Sequence, residues 1–204
     1  HLAALGRIHD ANEARRAVEL ALRHFDKVNL DLMYALPGQT LEDARADIRE
    51  AADFGAPHLS VYHLTPEPNT AFSVAPPPLP DADLAARMQD MVEETLAARG
   101  YGHYEVSAFA RPGAECRHNL NYWLFGDYLG LGAGAHGKIS SPQAIFRETR
   151  PRHPQTYMEA AEKGNPIRDR CAVGAAALPF EFMMNALRLT AGFPAPLFAK
   201  RTGL

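Results

Sequence analysis

Apolar residues recur at helical spacing over 11–25. Ala14, Val18, Ala21, Leu22 and Phe25 fall on one stripe and predict an amphipathic helix. The period then changes. Over 27–38, Val28, Leu30, Leu32 and Tyr34 alternate with Asn29, Asp31 and Met33, so a strand is expected that Pro37-Gly38 ends. Thr40 and Asp43 have the spacing of a capping box, with Asp in place of the usual Glu. Behind them Leu41, Ala44, Ile48, Ala51 and Ala52 form a second helical stripe. A second strand is predicted over 57–64, then a proline-rich loop over 65–80. Asp81 caps a third helix with Leu84, Met88, Met91, Val92 and Thr95 inward, and Gly100 ends it. A third strand is expected over 101–110.

Helices alternating with strands argue for parallel strands with crossover helices, hence an α/β sheet or barrel. Sites in such folds lie at the carboxyl ends of the strands. The turn at 36–40, the loop at 65–70 and the chain beyond Ala110 all fall there. Past that point the pattern predicts a β-hairpin over 136–150 around Ser141-Pro142, then short helices over 153–165 and 180–189. This part is expected to be mostly helical. At its other end the chain opens at His1 inside what reads as a helix, so a fragment of a longer protein is expected.

The 204 residues are 47% hydrophobic and 22% charged, an ordinary globular balance with enough length for a sizeable core. A net charge of −3 gives no global drive toward nucleic acid or an anionic membrane. No apolar run reaches membrane-spanning length, and a cytoplasmic setting is expected. Two distant cysteines, Cys116 and Cys171, do not make a disulfide framework.

Asp31 is the lone carboxylate of an apolar strand. It reads either as a structural group bonded to backbone or Asn29, or as an acceptor for a ligand's hydroxyls, such as those of a ribose. Tyr62, His63, Thr65, Glu67, Asn69 and Thr70 surround the end of the second strand, where loop chemistry is the competing explanation. The segment "CRHNLNYW" at 116–123 holds the only tryptophan. His118 suits haem iron, Tyr122 and Trp123 offer flat surfaces, and Arg117 could meet a propionate. A histidine bonded within a loop is the alternative. Zinc is disfavoured, since no CxxC pattern accompanies Cys116 and His118. The glycines of "GLGAGAHG" permit either close approach of a flat ligand or a tight backbone crossing.

The stretches "LGRIHD", "NLDLMYALPGQT", "SVYHLTPEPNT", "YEVSAFARPG", "CRHNLNYW", "YLGLGAGAHG" and "MMNALRLTAGFP" occur in this order across the chain. Together they resemble the radical SAM haem chaperones of the HemW type, relatives of oxygen-independent coproporphyrinogen III oxidase. The resemblance implies a partial (β/α)6 barrel, whose last strands and helices are 1–110. A post-barrel segment would occupy 111–170, and 171–204 would begin a small helical C-terminal domain. It assigns Asp31, Tyr62 and Thr65 to S-adenosylmethionine (SAM), and His118, Asn119, Tyr122 and Trp123 to haem, with His118 on the iron. The oxidases carry a motif of the form RNFQGY instead. The family's CxxxCxxC cysteines for a [4Fe–4S] cluster are not among these residues; the resemblance places them before residue 1.

The resemblance therefore implies a haem chaperone that delivers haem to an apo-haem protein, such as a respiratory one, which can itself be membrane-associated. The alternatives are the oxidase, acting on coproporphyrinogen III, and a helical interaction module without a small ligand.

Overall fold

The computed structural model describes residues 2–204. It divides into two compact units, His1–Cys116 and Arg117–Leu204. His1, where the sequence suggested a helix already under way, lies outside the described residues. The residues that follow form turns instead.

The first unit is α1 (Ala11–His24), β1 (Asn29–Tyr34), α2 (Leu41–Asp53), β2 (His58–His63), α3 (Ala71–Val74), α4 (Ala82–Ala97), β3 (Gly102–Glu105) and β4 (Ala108–Ala110). The Thr40–Asp43 capping box forms, with both backbone N–H groups bonded by side chains. Strands β1 and β2 run parallel with Asn29 opposite His58 and Tyr34 opposite His63. Ala44, Ile48, Ala51 and Ala52 of α2 and Met88, Met91, Val92 and Leu96 of α4 pack with Leu59, Val61 and Phe109 in the core. Full burial of an Ile, Leu or Met side chain is worth about 1.5–3 kcal/mol, so this layer fixes which sheet face is covered. By strand alternation, Asn29, Asp31 and Met33 take the other face together with His58, Ser60 and Tyr62.

The predicted third strand is two strands. β3 turns at Val106-Ser107 and returns as β4, which pairs antiparallel with β2, giving the order β1-β2-β4-β3. Glu105 causes the reversal locally: its carboxylate accepts the Ser107 N–H at 3.1 Å. A register shift between His103 and Glu105 breaks the alternation there. Only β1 and β2 keep the expected parallel relation.

The second unit is α5 (Arg117–Trp123), β5 (His136–Ser140), β6 (Ile145–Thr149), α6 (Pro154–Glu162), β7 (Asp169–Ala172), α7 (Leu178–Ala186) and α8 (Pro196–Thr202). The predicted hairpin is present as β5 and β6, and Ser141 Oγ accepts the Gln143 and Ala144 N–H groups in its turn. β7 adds a third antiparallel strand to β6. This part is therefore less helical than expected. β7 is exposed at every position and carries no apolar alternation to announce it. Phe182 is the centre of the packing. Phe125, Phe193 and Phe198 meet it edge-on with ring centroids 5.0–5.5 Å apart. Buried Glu148 is bonded by Arg150 at 3.2 Å and paired with Arg170 at 3.5 Å, so its charge is compensated. Among the described residues, no helix is long and apolar enough to cross a membrane.

Candidate functional site

The face of β1 and β2 turned away from α2 and α4 carries the first group of candidates. Asp31 and Tyr62 lie on this face from adjacent strands, and Thr65 follows the end of β2. All three are exposed. Asp31 accepts a bond from Asn29 Nδ2 at 2.7 Å, the structural partner foreseen for it, which engages one carboxylate oxygen. Asp31 is in mid-strand, Tyr62 near the end of β2 and Thr65 just beyond it, and exposed carboxylate, phenol and hydroxyl groups can bond the hydroxyls of a ribose or the edge of a base.

The second group sits on α5. The segment, for which a loop was the competing reading, is a short helix. His118 and Tyr122 stand one turn apart, with rings edge-on at 6.3 Å. His118 is exposed, and Asn119 is half-buried. Tyr122 meets Tyr128 edge-on at 4.6 Å. The Arg188 guanidinium lies 4.3 Å over the ring of Trp123. Trp123 Nε1 is buried without a hydrogen-bond partner. Such a donor is costly unless a ligand or water supplies an acceptor.

Tyr122 and Trp123 form one wall of a cavity of about 390 Å³, together with Tyr128, His136, Lys138 and Arg147. His118 and Asn119 are not among its lining residues. The cavity joins an aromatic wall to cationic side chains, and the exposed His118 imidazole stands on the same helix as that wall.

Sequence reasoning missed Tyr128, Lys138, Arg147 and Arg188. Lys138 is only 2% exposed. Its ammonium donates to Asp127 Oδ1 at 2.8 Å, to the Phe125 carbonyl at 3.1 Å and to Ser140 Oγ at 3.1 Å. It also lies 4.3 Å from the Phe125 ring centroid. Burial pulls its pKa below the ordinary lysine value, against the opposing bond and charge of Asp127. At Asp127 partial burial works the other way, but hydrogen bonds from Lys138 and Ser140 outweigh it and hold the carboxyl below its ordinary range. Arg147 is tied to Glu181 at 2.7 Å and to Tyr128 Oη at 2.9 Å.

The glycine run is a backbone crossing at two of its positions. A Cβ on Gly130 would lie 2.3 Å from the His136 carbonyl oxygen, and one on Gly137 would lie 3.2 Å from Gly130 N. The bridge between Tyr128 and Lys138 passes beside them. Leu129 and Leu131, which alternate with these glycines, are exposed.

The residues present do not fit a [4Fe–4S] cluster. The CxxxCxxC set that the resemblance implies needs three closely spaced thiolates, and Cys116 and Cys171, 55 residues apart, are the only cysteines of the sequence. Among the described residues no group of His, Cys, Asp and Glu could hold a metal ion.

Comparison with known proteins first defines the fold class. The solved structure of coproporphyrinogen III oxidase (HemN) from Escherichia coli, titled as a radical SAM enzyme, matches all of this chain and 50% of its own, with a TM-score of 0.75 at 19% identity. The fold is thus the mixed α/β fold of that radical SAM enzyme, over about half of its length. The sequence then points to a particular group. Heme chaperone HemW of Escherichia coli is 48% identical over the whole chain, which covers 53% of that relative. Heme chaperone HemW of Haemophilus influenzae is 46% identical, with 52% of it covered. The Mycobacterium tuberculosis protein of the same name is 38% identical over 95% of the chain. The chain is homologous to these heme chaperones and spans about half their length. No family model matches it.

Proposed function

We propose that the protein binds haem and delivers it to apo-haem proteins. The observation that carries this reading is α5. Its seven residues expose His118 and set Tyr122 and Trp123 in the wall of a cavity that also holds Lys138 and Arg147. His118 supplies the nitrogen ligand to iron. The aromatic side chains offer flat apolar contact, and Arg147, which is partly exposed, is the cation placed to meet a propionate.

Asp31 would hold the ribose hydroxyls of SAM, with Tyr62 and Thr65 at its base. When bound, SAM supplies a reactive nucleoside. The part of these residues is to bind and orient it. The cluster that such chemistry needs has no ligand set in this chain, so no step through it is assigned to these residues. The sequence relatives named heme chaperone support the reading, and a cytoplasmic protein working on haem proteins is its natural extension.

The fold of HemN favours a second reading, oxidative decarboxylation of coproporphyrinogen III. That substrate contains no iron and makes no use of a ligand at position 118.

Hemin titration of the full-length protein, read at the Soret band, separates the two. His118→Ala should weaken binding at least about tenfold or change the spectrum, as loss of an axial ligand does. Unchanged affinity and spectrum would remove His118 from the site and direct attention to coproporphyrinogen turnover.

A further inference from the structure

The face of β1 and β2 turned away from α2 and α4 holds a chain of hydrogen bonds whose donor directions can be assigned. Asn29 Nδ2 donates to Asp31 Oδ1 at 2.7 Å. The amide oxygen of Asn29 therefore faces the other way. Ser60 Oγ donates to it at 3.0 Å, and His58 Nδ1 lies 2.6 Å from it. A carbonyl oxygen only accepts, so Nδ1 carries the proton. In the neutral ring Nε2 is then the acceptor, and Tyr104 Oη lies 2.7 Å from it. The same phenol oxygen accepts the backbone N–H of Cys116 at 3.3 Å.

Every donor points the same way: Cys116 N–H to Tyr104, Tyr104 to His58, His58 to Asn29, Asn29 to Asp31. The chain ends on a carboxylate, the arrangement in which successive bonds polarise and strengthen one another. His58 is buried, so neither ring nitrogen has water as a ready substitute. One end of the chain is the acceptor for the proposed nucleoside. The other is the backbone two residues before His118.

We infer that His58 and Tyr104 are positioning residues that couple ligand binding at Asp31 to the segment that begins with Cys116. The inference rests on the reading of Asp31 and His118 proposed above. A nucleoside hydroxyl bonded to Asp31 fixes that carboxylate. A fixed carboxylate holds Asn29, Asn29 holds the His58 ring, and the ring holds the Tyr104 hydroxyl against Cys116 N–H. Ordering by the first ligand is then not required again for the second, which gives positive coupling.

The test is a two-ligand titration of the full-length protein. Hemin affinity is measured with and without saturating SAM in wild type, Tyr104→Phe and Ser60→Ala. Tyr104→Phe keeps the ring that lies edge-on to His58 and removes only the hydroxyl link. Ser60→Ala removes a neighbouring bond but no link. SAM should tighten hemin binding about fivefold or more in the wild type and in Ser60→Ala. In Tyr104→Phe the ratio should fall toward one while each ligand alone still binds. Should that variant lose its thermal transition, Asn29→Ala breaks the chain at its exposed end. A ratio of one in the wild type, or an unchanged ratio in Tyr104→Phe, would overturn the coupling with the functional reading intact. Failure of hemin or SAM alone to bind the wild type would remove that reading and the coupling with it.

Discussion

Asp127→Ala should destabilise the protein more than Lys138→Met, although Asp127 is the more exposed partner. The Lys138 side chain is 2% exposed and that of Asp127 44%. Removing the carboxylate strands a buried ammonium that keeps only the Phe125 carbonyl, Ser140 Oγ and the Phe125 ring. Breaking a fully buried ion pair from one side costs about 3–5 kcal/mol. Water reaches Asp127 and the ammonium retains two acceptors, so about 2 kcal/mol is expected here. Lys138→Met keeps the apolar stem. It leaves a carboxylate that water and the Ser140 N–H and Oγ still satisfy, at a cost of about 1 kcal/mol. The double variant should cost little more than Lys138→Met alone, because without the ammonium nothing requires the carboxylate. Urea unfolding of the full-length protein, followed by the fluorescence of Trp123 in the same unit, measures all three midpoints. The pH dependence carries its own sign. Without Asp127, which raises the lysine's pKa, burial holds that pKa still further below 10.5. The penalty is present below the folded pKa and relieved as pH rises through it. A larger loss in Lys138→Met, or additive losses, would refute the argument.

Gly130→Ala should cost about 1–3 kcal/mol, because its Cβ meets backbone at 2.3 Å. Gly174→Ala, with nothing within 4 Å, should stay within about 0.5 kcal/mol, and equal midpoints would contradict the packing. Tyr101→Phe removes the hydroxyl that donates to the Ala56 carbonyl at 2.6 Å in the core. Thermal unfolding should show a loss of about 1–2 kcal/mol, and an unchanged transition would mean the carbonyl finds another donor. The depressed pKa of Asp127 contributes stability that is complete above its ordinary value of 3.8 and lost as pH falls through the lower folded value. Acid titration of stability in Asp127→Asn should lack that loss.

The parts of the fold that local rules determine were legible. The Thr40–Asp43 box and the stripe through Ala44, Ile48 and Ala51 needed only spacing, and α2 formed as expected. The β3–β4 reversal was hidden because Val106 and Ser107 carry no glycine or proline, and the turn is made by a side chain, Glu105. The helical state of α5 was hidden because seven residues show no apolar stripe. At the sites, the two-residue period set Asp31 apart from Leu30 and Leu32, but only the β1–β2 register puts it on one face with Tyr62. The walls around Tyr122 and Trp123 were different. Lys138 reads in sequence as an exposed lysine of a hairpin. It is buried only because Asp127 and the Phe125 carbonyl, distant along the chain, converge on its ammonium.

A TM-score of 0.75 at 19% identity means that this scaffold tolerates replacement of most of its side chains. The fold therefore does not separate a porphyrinogen oxidase from a haem chaperone. What separates them on the reading proposed above is the chemistry demanded at one helix. A substrate without iron gives no reason to expose an imidazole on α5. A cargo with iron does, and the aromatic residues one turn further offer it a flat wall. Tyr122 and Trp123 serve both the packing of this unit and the proposed cargo, so their substitution mixes stability with binding. His118 is exposed, and its replacement leaves the Phe182 cluster untouched. On the reading proposed above, it is the position whose substitution bears on the cargo rather than on that core.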